Sequence, residues 1–377
     1  MKLQQYIYNQ NQWSNDLPHN SQAQWILAFG DHRLIGDEQV LQDIRRAFPS
    51  AEITGCTTSG EIADTAIYDN SLSLTAVTWE RTHIAVASQS IAPTEDSRTV
   101  GFELGSKLPK EGLQYVFLIS NGHAVNGTQL VNGLKESLPE NTRFTGGMAG
   151  DGDRFETTWV WHNDRIEPGL IVVCGLYGDK VRIGHGCEGG WEPFGPNRRI
   201  TRAQGNVLYE LDDEPALNLY KRYLGEHARN LPASALLFPL CVELYDNCAG
   251  VVRTILNIDE SNGSMTFAGD MEEGKFAKLM HSNHDRLIDG AEAAAGNCLE
   301  FVQQEDVSLA ILISCIGRRL ILKQRCEDEL ESVREILGNQ ATLCGFYSYG
   351  EISSQSVSSC SLIHNQTMTI TVFSEDA

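Results

Sequence analysis

Positive charge is scarce in this chain. Twenty-nine lysines and arginines stand against 50 aspartates and glutamates in 377 residues, a formal net charge of −21. A nucleic-acid groove needs basic surface, so this balance argues against one, and against anionic membranes. It suits solubility and a basic protein partner. Long apolar runs are missing, and none approaches the length that crosses a bilayer. The opening Met1-Lys2-Leu3 gives way at once to Gln, Tyr and Asn, which is no secretory leader and points to the cytoplasm. There are ten cysteines but no Cys-x-x-Cys, so zinc-ribbon spacing is absent, and no Cys-x-x-Cys-His, which excludes covalent haem attachment. Many sit in apolar stretches, as Cys174 and Cys315 do, and read as buried, reduced thiols.

What the chain does contain is a repeat. Gly55-Cys-Thr-Thr-Ser-Gly60-Glu61-Ile62 returns as Gly345-Phe-Tyr-Ser-Tyr-Gly350-Glu351-Ile352, and a weaker version, Gly146-Gly-Met-Ala-Gly150-Asp151, lies between them. The residues before each copy repeat as well. An apolar run (Trp25 to Phe29, Tyr115 to Ile119, Leu309 to Ile316) precedes a stretch of helical spacing. Those stretches carry Val40, Leu41, Ile44 and Phe48; Leu130, Val131, Leu134 and Leu138; and Leu330, Val333, Ile336 and Leu337. Each unit reads strand, loop, helix, strand, glycine turn, a βαβ-like element whose glycines permit positive φ and close backbone approach. Such turns either face a ligand or simply pack against a neighbour. No lysine follows the second glycine, so the motif is not a phosphate-binding Walker loop, and Glu61 and Glu351 would repel phosphate.

The expected fold is α/β, mixed with antiparallel strands, in two domains at 1–205 and 206–377. Residues 1–22 read as an irregular arm or short edge segment. Leu72 to Trp79 and Ile84 to Ser90 read as an antiparallel pair, and Ser97 to Leu108 as a helix. Val251 to Ile258 and Ser264 to Phe267 read as a hairpin around Asn262-Gly263, Ala277 to Ala295 as one or two helices, and Thr367 to Phe373 as a closing strand. Gly184 to Pro196, rich in glycine with Trp191 and Phe194, reads as a structured inter-domain loop. Its aromatics either staple the domains or line a ligand site.

The chain resembles the FIST proteins, with a FIST N-terminal and a FIST C-terminal domain. The resemblance rests on Gly55 to Ile62, Phe144 to Asp151, Gly189-Gly190-Trp191 through Arg202, Gly205 to Leu211, Leu231 to Leu240, Phe267 to Asp270, Asp285 to Ala291 and Gly345 to Ile352, and covers nearly the whole chain. It implies a sensory module for small ligands. A two-domain chain without an output domain is similar to the nitric-oxide-sensing branch, which binds haem b. That branch acts on a partner histidine kinase or a cyclic-di-GMP enzyme, a diguanylate cyclase or phosphodiesterase. Dimerisation is common among such modules.

On the haem reading, iron needs an axial imidazole. His227 ranks first, because it follows a helix end and precedes a proline-broken apolar run. His281 and His284 follow, three apart on an expected helix face and departing from the family's usual Arg-Ala-Asn at 281–283. His185, between glycines beside Trp191, and His123, at a strand exit, are further choices. His19, His32 and His162 read as solvated, His83 begins a strand, and His364 is undecided. Arg198, Arg199 and Arg202 suit haem propionates or a domain-interface ion pair, with Trp191 beside them.

Two other classes compete. A haem-free sensor would hold a metabolite such as an amino acid at the glycine turns, with Glu61 or Glu351 on its ammonium. An enzyme would use Cys56 as a nucleophile activated by turn amides. Phe346 replaces Cys56 in the sister turn, and no Ser-His-Asp spacing can be read, so a non-catalytic protein is expected.

Overall fold

The computed structural model describes residues 1–92, 96–140, 142–231, 233–243, 250–354 and 361–376. Each expected unit forms, and its two strands are parallel neighbours. Trp25–Gly30 lies beside Glu52–Thr57, Leu113–Ser120 beside Arg143–Met148, and Leu309–Cys315 beside Thr342–Ser348. The crossover helices are Glu38–Ala47, Gly127–Ser137, and in the third unit Ile316–Leu322 with Cys326–Leu337. Asp37 and Asn126 cap the first two by accepting amide hydrogen bonds.

Each parallel pair carries the same antiparallel neighbours on one side. Leu72–Thr78, Leu170–Tyr177 and Met368–Glu375 pair with the first strands of their units. Lys2–Asn9, His83–Ser90 and Val181–Glu188 lie outside them. On the other side the units exchange chain. Glu61–Ala63 leaves the first unit and pairs with Thr342–Ser348 of the third. Gly350–Ser354 leaves the third and pairs with Arg143–Met148 of the second. Val160–His162 leaves the second and pairs with Glu52–Thr57 of the first. The result is a closed ring of three sheets, each completed by another unit's hairpin. The registers correspond: Ile62 lies opposite Gly345, Ile352 opposite Gly146, and Trp161 opposite Gly55.

That register explains the repeated first glycine and corrects its reading as a turn residue. Gly55, Gly146 and Gly345 lie within strands, and a Cβ there would come within 1.8, 1.9 and 1.8 Å of the carbonyl oxygens of Ala28, Leu118 and Leu312. Close backbone approach selects glycine at these sites. The first turn itself uses Gly60, at φ +129°.

Residues 192–281 form a fourth body inserted in the third unit, between its outer strand Val181–Glu188 and the helix His284–Cys298. The insertion has its own sheet and its own core around Ile200, Leu217, Tyr220, Val242, Met265 and Phe267. The expected boundary at residue 205 falls in the turn between Arg198–Gln204 and Val207–Leu211, which pair within the insertion.

Several local expectations change. Of the two readings of residues 1–22 the edge segment holds, as Lys2–Asn9 with Gln12–Trp13 beside its end, and it is regular strand rather than an irregular arm. Leu72–Thr78 and His83–Ser90 follow each other but join different sheets, because one closes the first unit and the other opens the second. The hairpin at Asn262-Gly263 forms between Ile255–Asp259 and Ser264–Phe267, while Val251–Arg253 pairs with Leu240–Val242. Phe276–His281 is a strand, not helix. The helix starts at His284 because the Asn283 side chain caps it, accepting from the Arg286 amide at 2.9 Å. The glycine-rich loop begins later than expected, since Val181–Glu188 stays extended through Gly184 and Gly186. Those glycines let the strand meet the helix His284–Cys298, where a Cβ would come within 2.2 Å of the Cys298 carbonyl and 1.9 Å of the Ala294 carbonyl.

Candidate functional site

The three turns hydrogen-bond to one another where the sheets join. The Ser59 amide donates to the Tyr347 carbonyl at 2.8 Å and the Tyr347 amide to the Gly60 carbonyl at 2.9 Å. The Gly150 amide donates to Thr57 at 3.0 Å and the Tyr349 amide to Met148 at 3.2 Å. From here each chain crosses to the next sheet and later returns.

At the first crossover the exit and return are tied by a carboxyl group. Glu61, buried, accepts from Thr58 Oγ1 at 2.7 Å and from Ser71 Oγ at 2.6 Å. The third crossover repeats the arrangement: Glu351, buried, accepts from Ser348 Oγ at 2.6 Å and from Thr367 Oγ1 at 3.0 Å. Burial pushes both carboxyls up to about 8, against the lowering effect of the hydroxyls. At the second crossover the corresponding positions are Ala149, Val160 and Leu170, all buried and apolar. Asp151 is therefore not the counterpart of Glu61 and Glu351. It belongs to a longer loop and accepts from the amides of Phe155, Glu156 and Thr157 at 3.1, 2.9 and 3.0 Å, and from the Tyr349 hydroxyl. Burial opposes its ionisation, but these hydrogen bonds prevail and hold its carboxyl below the usual range.

Beside the first crossover lies a polar cleft of about 590 Å³. It opens just beyond the C-terminal ends of the parallel strands Trp25–Gly30 and Leu309–Cys315, where open sheets place ligands. The Thr58–Glu61 turn forms one wall. Asp31, Asp69 and Asp153 supply carboxylates, and Arg154, Arg319 and Lys323 supply cations. Arg319 clamps Asp69 with two bonds of 2.9 and 2.6 Å and lies over the Tyr347 ring at 5.4 Å. Asp31 is held by Arg33 at 2.8 Å. Lys323, Arg154 and Asp153 have no ion pair among the described residues, Arg154 meeting only the His32 ring at 3.2 Å, so two cations and one carboxylate of the cleft are left uncommitted.

The haem candidates do not come together there. His227 is exposed on the short turn Gly225–Asn230, with its ring against Phe238 at 5.3 Å. His281 ends a strand and meets Phe194 edge-on at 5.6 Å, while His284 is exposed at a helix start, so the two share no helix face. Exposed imidazoles do not fit haem b, whose porphyrin needs an enclosing apolar wall, and these three histidines sit on three separate elements. Arg198 pairs with Asp212 at 3.0 Å and Arg202 with Glu210 at 3.4 Å, each within one hairpin of the insertion rather than across a domain interface. Arg199 is exposed. Trp191 is a staple: its Nε1 donates to the Gln366 carbonyl at 2.8 Å and its ring packs with Leu287, Ile321 and Leu322. Phe194 is exposed.

His185 is buried and stacked on Phe301, His123 is exposed beside Tyr349, and His364 is buried. His162, expected in solvent, is half-buried against Ser88 and Glu52. Cys56 is fully buried, and burial pushes its thiol well up, which removes the activated nucleophile. The eight described cysteines are free; Cys248 and Cys360 lie outside the described residues.

Sequence reading found the turn wall of the cleft but missed Arg154, Arg319, Lys323, Asp69 and Asp153. One signal was present. The doublet Arg318-Arg319 interrupts an apolar helix directly after a buried strand. Arg318 turns inward, fully buried, and pairs with buried Glu329 at 3.1 and 2.8 Å. It also donates to the carbonyls of Gly189 and Leu287. Arg319 turns to the cleft.

Residues 24–214 match the FIST N domain model and residues 216–354 the FIST C domain model. An uncharacterized protein of Methanocaldococcus jannaschii is 22% identical over 312 residues, which is 75% of this chain and 58% of that protein. The chain thus spans a little over half the length of this relative.

Proposed function

The chain belongs to the FIST family, whose domains are sensory modules of signal transduction, and we propose that it senses a small zwitterionic metabolite, such as an amino acid, in the cleft at the first crossover. The observation that carries this reading is the set of uncommitted charges, Lys323, Arg154 and Asp153, in one polar cleft. A ligand carboxylate would meet Lys323 and Arg154, and a ligand ammonium would meet Asp153. Glu61, expected on the ammonium, is instead spent on Thr58 and Ser71. The protein acts without catalysis, and its output passes by contact to a separate signalling protein, a histidine kinase or a cyclic-di-GMP enzyme.

Haem b with nitric oxide as the signal is the competing proposal. It rests on the resemblance to that branch, since the exposed His227 has only Phe238 beside it and no enclosing apolar wall. A stoichiometric Soret band after haem reconstitution, lost in His227→Ala, would replace the metabolite reading.

A thermal-shift screen of the amino acids tests the first reading. One chemical class is expected to raise the melting midpoint. No shift from any amino acid overturns it.

A further inference from the structure

The cleft has a counterpart at the third crossover. Leu72 opposite Gly30 corresponds to Met368 opposite Ser314, so Asp69 and Asn70 of the cleft correspond to Asn365 and Gln366. Asn70 and Gln366 share left-handed backbone, with φ of 53° and 62°. Here, however, the insertion lies over the site. Gln366 Nε2 reaches the Leu236 carbonyl at 3.4 Å, and Arg253 Nη1 donates to the Ile363 carbonyl at 2.8 Å.

Under that cover, three consecutive side chains hold acceptor atoms with no partner among the described residues: His364 Nε2, Asn365 Oδ1 and Gln366 Oε1. Their residues are 7, 1 and 0% exposed. The His364 ring is neutral, because burial and the neighbouring Arg253 pull its pKa down to about 4. Its other nitrogen serves the Ser353 backbone, so Nε2 presents a lone pair. The amide nitrogen of Gln366 is committed to Leu236, which leaves its oxygen to accept. Thr254 Oγ1, in the insertion beside Arg253, is a fourth buried atom without a partner. One such atom left unmade costs about 1–3 kcal/mol, and native proteins carry few of them. Several acceptors on one stretch are therefore left for donors that the described residues do not supply.

We propose that the covered third crossover is a second ligand site, separate from the cleft, which takes a small molecule bearing a protonated amine. The amine supplies the N–H donors that His364, Asn365 and Gln366 lack. Glu188 acts on that ring and favours a cation, while Arg253 opposes it; Glu351 stands opposite His364 in the strand pairing and adds its charge only as pH rises towards 8, where it ionises. The site does not depend on the cleft reading, because it shares none of the residues that line the cleft.

Calorimetric titration of the full chain with putrescine and cadaverine, with glycerol and acetate as controls, tests the proposal. Saturable binding of an amine is expected, with new hydrogen-exchange protection at residues 363–368. The double variant Asn365→Leu, Gln366→Met is expected to fold with an unchanged or higher midpoint, since it removes orphaned acceptors, and to lose amine binding at least tenfold. Lys323→Ala in the cleft is expected to keep it. The proposal is overturned if no amine binds, if protection at 363–368 is unchanged on binding, if the double variant binds as wild type does, or if Lys323→Ala abolishes binding. The last result would place the amine in the cleft. Exchange protection on the wild-type chain decides the matter even if the double variant does not fold.

Discussion

The first and third crossovers solve with polar groups a problem that the second solves without them. Thr58, Glu61 and Ser71 do at one corner of the ring what Ser348, Glu351 and Thr367 do at another, and Ala149, Val160 and Leu170 occupy the same places at the remaining corner. All three are buried and all three hold. Closing the ring therefore does not require a carboxyl group. A fully satisfied polar cluster and an apolar one of similar shape are close in free energy, whereas a half-satisfied cluster is not. The first and third corners differ again in access, since one opens on the cleft and the other lies beneath the insertion.

The largest expected effect breaks what all three corners share. Gly55→Val or Gly345→Val places a Cβ within 1.8 Å of a carbonyl on the neighbouring strand, which cannot move aside. Each is expected to cost more than about 3 kcal/mol and to leave little folded protein by circular dichroism. Gly296→Ala, with nothing within 4 Å and a helical position, is expected to be neutral or slightly stabilising.

Next comes the buried pair beside the cleft. Arg318→Met strands Glu329 without its cation, and denaturant unfolding is expected to show a loss of about 3–5 kcal/mol. Arg319→Met, at the cleft surface, is expected to lose far less and to act mainly on ligand affinity.

The contrast between corners can be sharpened by exchanging them. Val160→Glu puts a carboxyl beside Ala149 and Leu170, neither of which offers a hydroxyl, and is expected to cost about 1–3 kcal/mol. The triple change Ser348→Ala, Glu351→Val, Thr367→Leu writes the second corner's solution into the third, and is expected to cost less than Glu351→Val alone. A triple variant weaker than the single one would show that the corners are not equivalent.

The smallest effect is in pH. Both glutamates titrate near 8 in the folded protein, against an ordinary value of 4.5. Between these values the folded chain holds protons that the unfolded chain has lost. The stability they contribute is therefore complete below pH 4.5 and falls as pH rises through 8. From pH 7 to 9 the wild type is expected to lose on the order of 1 kcal/mol per glutamate, and Glu61→Gln and Glu351→Gln should each flatten that slope.

Much of this ring was legible in the sequence. The repeated glycine segments, the periodic helices and the apolar strands all mark the three units, because each lies in a contiguous stretch. The exchange of hairpins was not legible, since Glu61–Ala63 and Thr342–Ser348 pair across nearly the whole chain and no local pattern names the partner. The third motif copy misled for the same reason. Asp151 resembles Glu61 in order along the chain, but only the strand register shows that Val160 takes that place. Of the site, the turn was visible and the charges were not, because Arg319 and Lys323 come from the helix Ile316–Leu322 of another unit and the turn that follows it. The histidines chosen for haem had favourable neighbours in sequence, and the fold leaves His227 and His284 exposed.

The most direct test of the cleft is a calorimetric titration of the best amino acid from the thermal screen into wild type, Lys323→Ala and Asp153→Asn. Saturable binding to wild type that weakens at least tenfold in both variants is the expected result, since each removes a charged hydrogen-bonding partner of about 1.5–3 kcal/mol. Equal binding by all three proteins, or none by wild type, would contradict a zwitterion held between these two charges.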